Sequence, residues 1–328
     1  MRNAFLTEGE WVSKIPRSHI DMRNDSAWMY IFDAIHLPIT RYNEIAGYDN
    51  VFIMFPKGFL SLNMVGMKIS NVPNQFSGLL AANIVNTLKK VNKNVHYIQE
   101  GPTWVFNDYS VVDQFNFYNT LSEVDTIFAH NEYDKKFYRG LFPDKSIDTL
   151  PPVMIDDHIK SLDSTKEDKV MIGGNFARWY GGFQSYIVSS IFPAAKYVQD
   201  SHAKQSDEIL IEDLVHLPRL NWLDWMKTLS SFKYAVHLMP TPAAGTFNLN
   251  CAYFGIPCIG NENVDTQKIC HPSLSIDVND IESARNLANK LVTDTEFYLH
   301  CSSEAKSNYK KYYTEEVFRN RFNKFIEA

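Results

Sequence analysis

Short apolar runs alternate along this chain with longer stretches whose apolar residues recur every three or four positions. Asn50–Phe55 (NVFIMF), Val95–Gln99 (VHYIQ), Val124–His130 (VDTIFAH) and Ile147–Leu150 are runs of strand length bounded by turn residues, and they predict buried strands. Between them, Asn74–Val91 places Phe76, Leu79, Leu80, Ile84, Val85 and Leu88 on one helical face. Helices are also predicted over Ser110–Leu121 and from Asn131 to about Gly140. Trp28–Ile35 (WMYIFDAI) fits a buried strand or a short helix, and residues 1–25 are polar and predict no element.

The alternation resumes after Pro151-Pro152 and the polar run SLDSTKEDK. Val170–Ile172 predicts a strand entering the turn Gly173-Gly174-Asn175, followed by a helix over Phe183–Phe192. Glu208–Ile211 reads as a weak strand, Trp222–Leu229 as a helix, and Tyr234–Leu238 and Ser273–Val278 as strands. Asp280 caps a helix with Ile281, Ala284, Leu287, Ala288 and Leu291 on one face. A last helix from Thr314 carries Phe318, Phe322, Phe325 and Ile326 on one side and Glu315-Glu316 in its first turn. Strands alternating with helices of this length imply an α/β chain with parallel sheets covered on both faces, and 328 residues exceed one small core. The division falls at 1–152 and 153–313, with 314–328 as a separate closing helix.

Composition narrows the classes. Hydrophobic content of 45%, charged content of 21% and a net charge of −6 describe an ordinary globular protein with no global basic field for nucleic acid. Lys89-Lys90-Lys93, Lys135-Lys136-Arg139 and Arg319-Arg321-Lys324 are local basic clusters that read as solvated helix faces, so DNA is not the favoured partner. Cys251, Cys258, Cys270 and Cys301 form no Cys-x-x-Cys pair and read as reduced structural thiols. No run approaches the length of a transmembrane segment, and MRNAFLTEGEW lacks the apolar core of a signal peptide, so the expected location is cytoplasmic.

The candidate chemistry gathers around Pro240–Gly260 (PTPAAGTFNLNCAYFGIPCIG), which reads as loop, helix, stop and strand. Thr246 is the expected N-cap, Gly255 suits a left-handed C-terminal residue, and Pro257 ends the helix. A glycine-bearing loop feeding a helix start offers N–H groups and a positive dipole end to phosphate or carboxylate. Glu100 and His130 close predicted strands in the first half, where parallel sheets place ligands. Glu100 is a candidate general base, against a reading as a local backbone cap, and His130 carries the same alternatives; His36 and Asp108 are outside candidates.

Three stretches resemble the GT-B glycosyltransferases, with a donor domain of the family-4 type. They are Val124-Asp-Thr-Ile-Phe-Ala-His-Asn-Glu-Tyr133 with Phe142-Pro143 and Leu150-Pro-Pro-Val153, then Val170-Met-Ile-Gly-Gly-Asn-Phe-Ala-Arg178 with Gly181-Gly182, and Asn250-Cys-Ala-Tyr-Phe-Gly-Ile-Pro257. The resemblance implies two Rossmann-like domains facing across a cleft, with the C-terminal helix crossing back to the first. It further implies a nucleotide-sugar donor held by Gly173, Gly174, Asn175, Arg178, Gly245, Thr246, Phe247, Asn248 and Asn250, against readings of Arg178 as a solvated loop cation, of Gly245-Thr246 as a tight turn with an N-cap and of Asn250 as a helix-surface amide. Arg219 could approach the base, but the favoured reading is a plain loop arginine. Asn250 and Pro242 stand where the family often carries carboxylates, which puts the donor's identity in question.

No Asp-x-Asp occurs, which favours transfer without a metal and without a cofactor, the nucleotide sugar itself being substrate. The acceptor is then a hydroxyl on a glycan, a lipid-linked glycan or a modified DNA base. Two other classes stay open. One is a non-catalytic sugar- or nucleotide-binding relative. The other is a nucleotide-dependent oxidoreductase, weakened because Gly-x-Gly-x-x-Gly is missing and Gly173-Gly174 with Gly181-Gly182 has the wrong spacing.

Overall fold

The strand–helix alternation resolves into two sheets, parallel but for one short strand at the edge of the first. The structure is a computed structural model and describes residues 1–10, 12–55, 77–177, 179–199 and 206–326. One compact unit comprises Met1–Arg17 with Asp25–Pro151, and the other Ser18–Asn24 with Pro152–Ala328.

The first unit holds β1 (Asn3–Thr7), β2 (Ser13–Lys14), β3 (Ala34–Pro38), β4 (Asn50–Ile53), β5 (Asn94–Ile98), β6 (Thr126–Ala129) and β7 (Ser146–Thr149). Their order across the sheet is β2-β3-β1-β4-β5-β6-β7, all pairs parallel except β2 with β3. Its helices are α1 (Asn24–Ile31), whose first residue belongs to the second unit, α2 (Ser77–Val91), α3 (Val111–Glu123) and α4 (Glu132–Leu141). β1 is a central strand built from the segment that predicts nothing. Ala4, Phe5 and Leu6 are wholly buried, so three apolar residues suffice where both faces are covered. Helix α2 buries Ala81, Ile84, Val85 and Leu88, and each fully buried aliphatic side chain contributes ~1.5–3 kcal/mol. The expected contributions of Phe76, Leu79 and Leu80 lie outside what is described. Trp28–Ile35 is the end of α1 and the start of β3, joined through Asp33 at φ 49°.

The second unit holds β8 (Glu167–Ile172), β9 (Ala195–Gln199), β10 (Leu214–Leu217), β11 (Phe232–His237), β12 (Cys258–Asn261) and β13 (Ser275–Ile276), ordered β10-β9-β8-β11-β12-β13 and parallel throughout. Its helices are α5 (Gly182–Ser189), α6 (Trp222–Ser230), α7 (Thr246–Phe254), α8 (Asp265–Cys270), α9 (Ile281–Thr293), α10 (Thr295–Tyr312) and α11 (Glu315–Ile326). The weak strand expected over Glu208–Ile211 is instead a 3-10 turn, Glu208–Leu210; Ile209 and Leu210 point to solvent and have no sheet to join. Strand order reverses between β8 and β11, which makes their carboxyl ends the crevice where open α/β sheets take ligands.

All four cysteines are buried and free. Burial pushes the Cys270 and Cys301 thiols up to about 12, so neither is a nucleophile near neutral pH. The basic clusters are partly matched locally: Lys89 meets Asp125 at 2.9 Å, Lys135 meets Asp148 at 2.6 Å, and Arg319 meets Glu315 at 2.8 Å. No helix among the described residues is long and apolar enough to cross a membrane.

Candidate functional site

In the second unit, β8 ends at Ile172 and the chain turns through Gly173 and Gly174, the latter at φ 78°. A Cβ on Gly173 would stand 2.6 Å from the His237 ring and 2.7 Å from Phe247, so a side chain is excluded where β8 approaches the end of β11. Asn175 is buried, and its Oδ1 accepts the Ala177 N–H at 2.9 Å, folding the turn on itself. Arg178 lies outside the described residues. Arg219 is exposed in the turn after β10, at the outer edge of the sheet.

Helix α7 starts differently from the expectation. Gly245, not Thr246, is the N-cap, at φ 87°, and no side chain caps the helix. The reason is steric: a Cβ at 245 would meet Thr266 Oγ1 at 2.1 Å and Val264 at 2.4 Å. The Thr266 hydroxyl donates to the Gly245 carbonyl at 2.5 Å, pinning the cap. Thr246 is the first helical residue, and its hydroxyl exchanges hydrogen bonds with Asn24, whose Nδ2 donates to Oγ1 at 3.2 Å. Asn24 has φ 44° and is fixed by its N–H to the Val153 carbonyl, so a residue of the unassigned N-terminal stretch reaches the start of α7.

The asparagines on α7 are deeply buried. Asn248 has no exposed surface and is a hub: Nδ2 donates to Gln267 Oε1 at 2.7 Å, and Oδ1 lies 3.1 Å from His237 Nδ1. Asn250 is 1% exposed. With its amide oriented to suit its neighbours, Oδ1 accepts from Trp225 Nε1 at 3.0 Å and Nδ2 donates to the Thr246 carbonyl at 3.3 Å. Both amides are engaged in the packing around α7. Phe247 is half-buried between Trp225 and His237, in edge contact with the latter at 5.0 Å.

His237 itself was missed by the sequence reading, which saw only a strand. It is 4% exposed, and burial holds its pKa down at about 4, so its imidazole is neutral at physiological pH.

In the first unit, β5 and β6 bring Glu100 and His130 to adjacent strand ends, and one buried side chain links the His130 N–H to the Gly101 carbonyl just past Glu100. Gln99 Oε1 accepts the His130 N–H at 2.7 Å, while Nε2 donates to the Gly101 carbonyl at 2.6 Å and to Asp134 Oδ2 at 2.7 Å. Asp134 also accepts from Thr103 Oγ1 at 2.7 Å and Asn131 Nδ2 at 3.0 Å. Burial raises its pKa, and these hydrogen bonds oppose the shift. Gln99, Asp134 and Asn131 carried no signal beyond their places at a strand end and a helix start. Glu100 lines an aromatic hollow with Tyr97, Phe106, Tyr109, Phe117 and Tyr138. His36, by contrast, is buried within β3, its Nε2 2.8 Å from Thr7 Oγ1. Among the described residues no cluster of His, Cys, Asp and Glu is arranged to hold a metal ion.

No protein-family model matches the chain, and no curated protein matches its sequence. Solved structures do match its fold. Sucrose-phosphate synthase from Thermosynechococcus elongatus superposes with a TM-score of 0.64 at 11% identity, covering 99% of this chain and 98% of that one. An alpha-glucosyltransferase bound to UDP and a 13-mer DNA with an HMU base superposes at 0.61 with 12% identity over the whole of both chains. These are GT-B structures. This chain has the GT-B glycosyltransferase fold. A third GT-B structure, S. aureus TarM crystallised with UDP, alpha-GlcNAc-glycerol and fondaparinux, gives 0.61 at 12% identity; the chain spans 58% of its length. The expectation of two Rossmann-like domains is thus met, each unit carrying its own parallel sheet.

Proposed function

We propose that this protein transfers a sugar from a nucleotide-diphosphate donor to a hydroxyl acceptor without a metal. The observation that carries the reading is the start of α7. A left-handed glycine that tolerates no side chain opens a nine-residue helix with no side-chain cap, beside the point where strand order reverses. Such a helix start presents backbone N–H groups to an anion, and the departing diphosphate is where negative charge develops. The diphosphate lies along Gly174–Arg178 and Gly245–Asn248, bound by main chain in the second stretch because the Asn248 amide is committed inside. Glu100 and His130 serve the acceptor side, Glu100 as general base, with Gln99 fixing the strand ends that carry them.

UDP in several of the matching structures supports a uridine nucleotide as the first ligand to try. A thermal-shift panel of nucleoside diphosphates and sugar nucleotides, run with and without EDTA, tests the reading. A ligand at 100 times its dissociation constant adds ~2.7 kcal/mol. Stabilisation by at least one diphosphate in EDTA is the expected result, and dependence on a divalent ion overturns the metal-free part.

A further inference from the structure

The amides around His237 determine which of its ring nitrogens carries hydrogen. Gln267 Nε2 faces two backbone carbonyls, Cys258 O at 2.8 Å and Leu274 O at 3.1 Å, so this end of the amide is the donor. Gln267 Oε1 is then an acceptor, and the atom 2.7 Å from it is Asn248 Nδ2. Asn248 Oδ1 is in turn an acceptor, and the His237 Nδ1 facing it at 3.1 Å must bear the proton. A neutral imidazole protonated at Nδ1 has a bare lone pair at Nε2. That atom is sealed from solvent and has no hydrogen-bond partner among the described residues.

Among the described residues, the other two deeply buried histidines with one unmet nitrogen have the opposite tautomer. His271 Nε2 donates to the Asn248 carbonyl at 3.0 Å, and His96 Nε2 donates to Asn50 Oδ1 at 3.0 Å, leaving Nδ1 bare in each. Among these three, only His237 stands at the carboxyl end of a switch-point strand, with its ring against Gly173 at the end of β8.

We infer that His237 is a specificity residue of the donor site, accepting a hydrogen bond at Nε2 from a hydroxyl of the bound nucleotide sugar. The inference rests on the donor reading above and deepens it. A phosphate oxygen is itself an acceptor and would meet this lone pair only by protonating the ring, which burial opposes. A hydroxyl supplies the missing donor and leaves the ring neutral. The amide relay from Gln267 through Asn248 therefore sets the residue to read O–H groups rather than charge.

Histidine side-chain 15N NMR on the full chain, free and with UDP or UDP-glucose, tests this. The expected free-state spectrum contains one non-titrating ring protonated at Nδ1 that disappears in His237→Phe. Its Nε2 resonance moves on saturation. A response to UDP alone assigns the hydroxyl to the ribose, and a response to UDP-glucose only assigns it to the sugar. His237→Phe, which keeps an aromatic ring against Phe247, weakens the responding ligand about 5- to 10-fold by calorimetry. His237→Gln, which can present an acceptor oxygen, recovers part of the loss. A ring protonated at Nε2 overturns the inference. So does an Nε2 resonance unmoved in the saturated protein, the result expected if an internal water occupies the position. Through-bond correlations in the wild-type ring identify the tautomer even if neither variant folds. Binding with no Nε2 response overturns this inference alone, whereas no binding of either ligand overturns the donor reading with it.

Discussion

Asn248 makes four polar contacts around α7: its amide meets Gln267, His237 and Cys258, and its carbonyl accepts from His271. Replacing it with Asp keeps an acceptor for His237 but removes the donor to Gln267 and places a carboxylate beside a neutral ring. We expect Asn248→Asp to cost about 1–3 kcal/mol, the usual penalty for an unmet buried group. Opposite charge favours the imidazolium, so the His237 pKa should climb from about 4 toward neutrality. A denaturant melt and an NMR titration of the ring check both; an unmoved His237 would mean that the two side chains are not coupled. Asn248 and Asn250 were visible in the sequence as polar residues near a helix start. Their burial was not, because α7 is buried on nearly every side and its sequence has no clear polar face to mark an exterior.

Two glycines make a paired test at the level of the element. Gly245 sits at φ 87° with Thr266 and Val264 where a Cβ would go, whereas a Cβ at Gly140, in the last turn of α4, meets nothing within 4 Å. Gly245→Ala should destabilise the protein by more than 1 kcal/mol and abolish diphosphate binding. Gly140→Ala should stabilise it by up to ~1 kcal/mol through helix propensity. Thermal melts of both, with calorimetry for the first, check the pair; unimpaired binding by Gly245→Ala would remove the α7 start from the donor site. Most strands and helices with strong apolar periodicity were legible, including β4, β5, β6, β11 and α9. Those missed fail for physical reasons. Edge strand β10 and its neighbour β9 are half-exposed and mixed in polarity, and α10 buries only Cys301, Ala305 and Tyr309, residues that do not announce a core face. The left-handed cap at Gly245 could be anticipated only as a glycine near a helix start, since the atoms that forbid a Cβ come from residues 264 and 266.

For the whole molecule, the buried histidines set the response to acid. His96, His237 and His271 are each held at about 4 by burial, below the ~6.5 of an unfolded histidine. Between those values the unfolded chain binds more protons, so the stability they confer is complete above about pH 6.5 and is lost as pH falls toward 4. Asp134, raised by burial, acts in the opposite sense, its folded form taking up a proton before the unfolded chain does. Among the described residues the lowered carboxylates Glu44, Asp49, Asp163, Asp213 and Asp280 act in the same sense as the three histidines. A clear fall in melting temperature is therefore expected from pH 7 to pH 4.5, measurable by calorimetry; a flat profile would contradict neutral burial of the imidazoles. The two-unit α/β character was legible from the alternation of elements. The insertion of Ser18–Asn24 into the second unit was not, because Met22 and Asn24 pair by backbone hydrogen bonds with Ile155 and Val153, partners more than a hundred positions away.

The central claim is that a nucleotide diphosphate binds at the carboxyl edge of the second sheet, and hydrogen exchange of the full chain saturated with UDP in EDTA tests it most directly. The account predicts slowed exchange in peptides covering residues 173–177 and 245–249, with the rest of the second sheet little changed. Saturating UDP that leaves those peptides unchanged, or protects a different edge of the molecule, would contradict it.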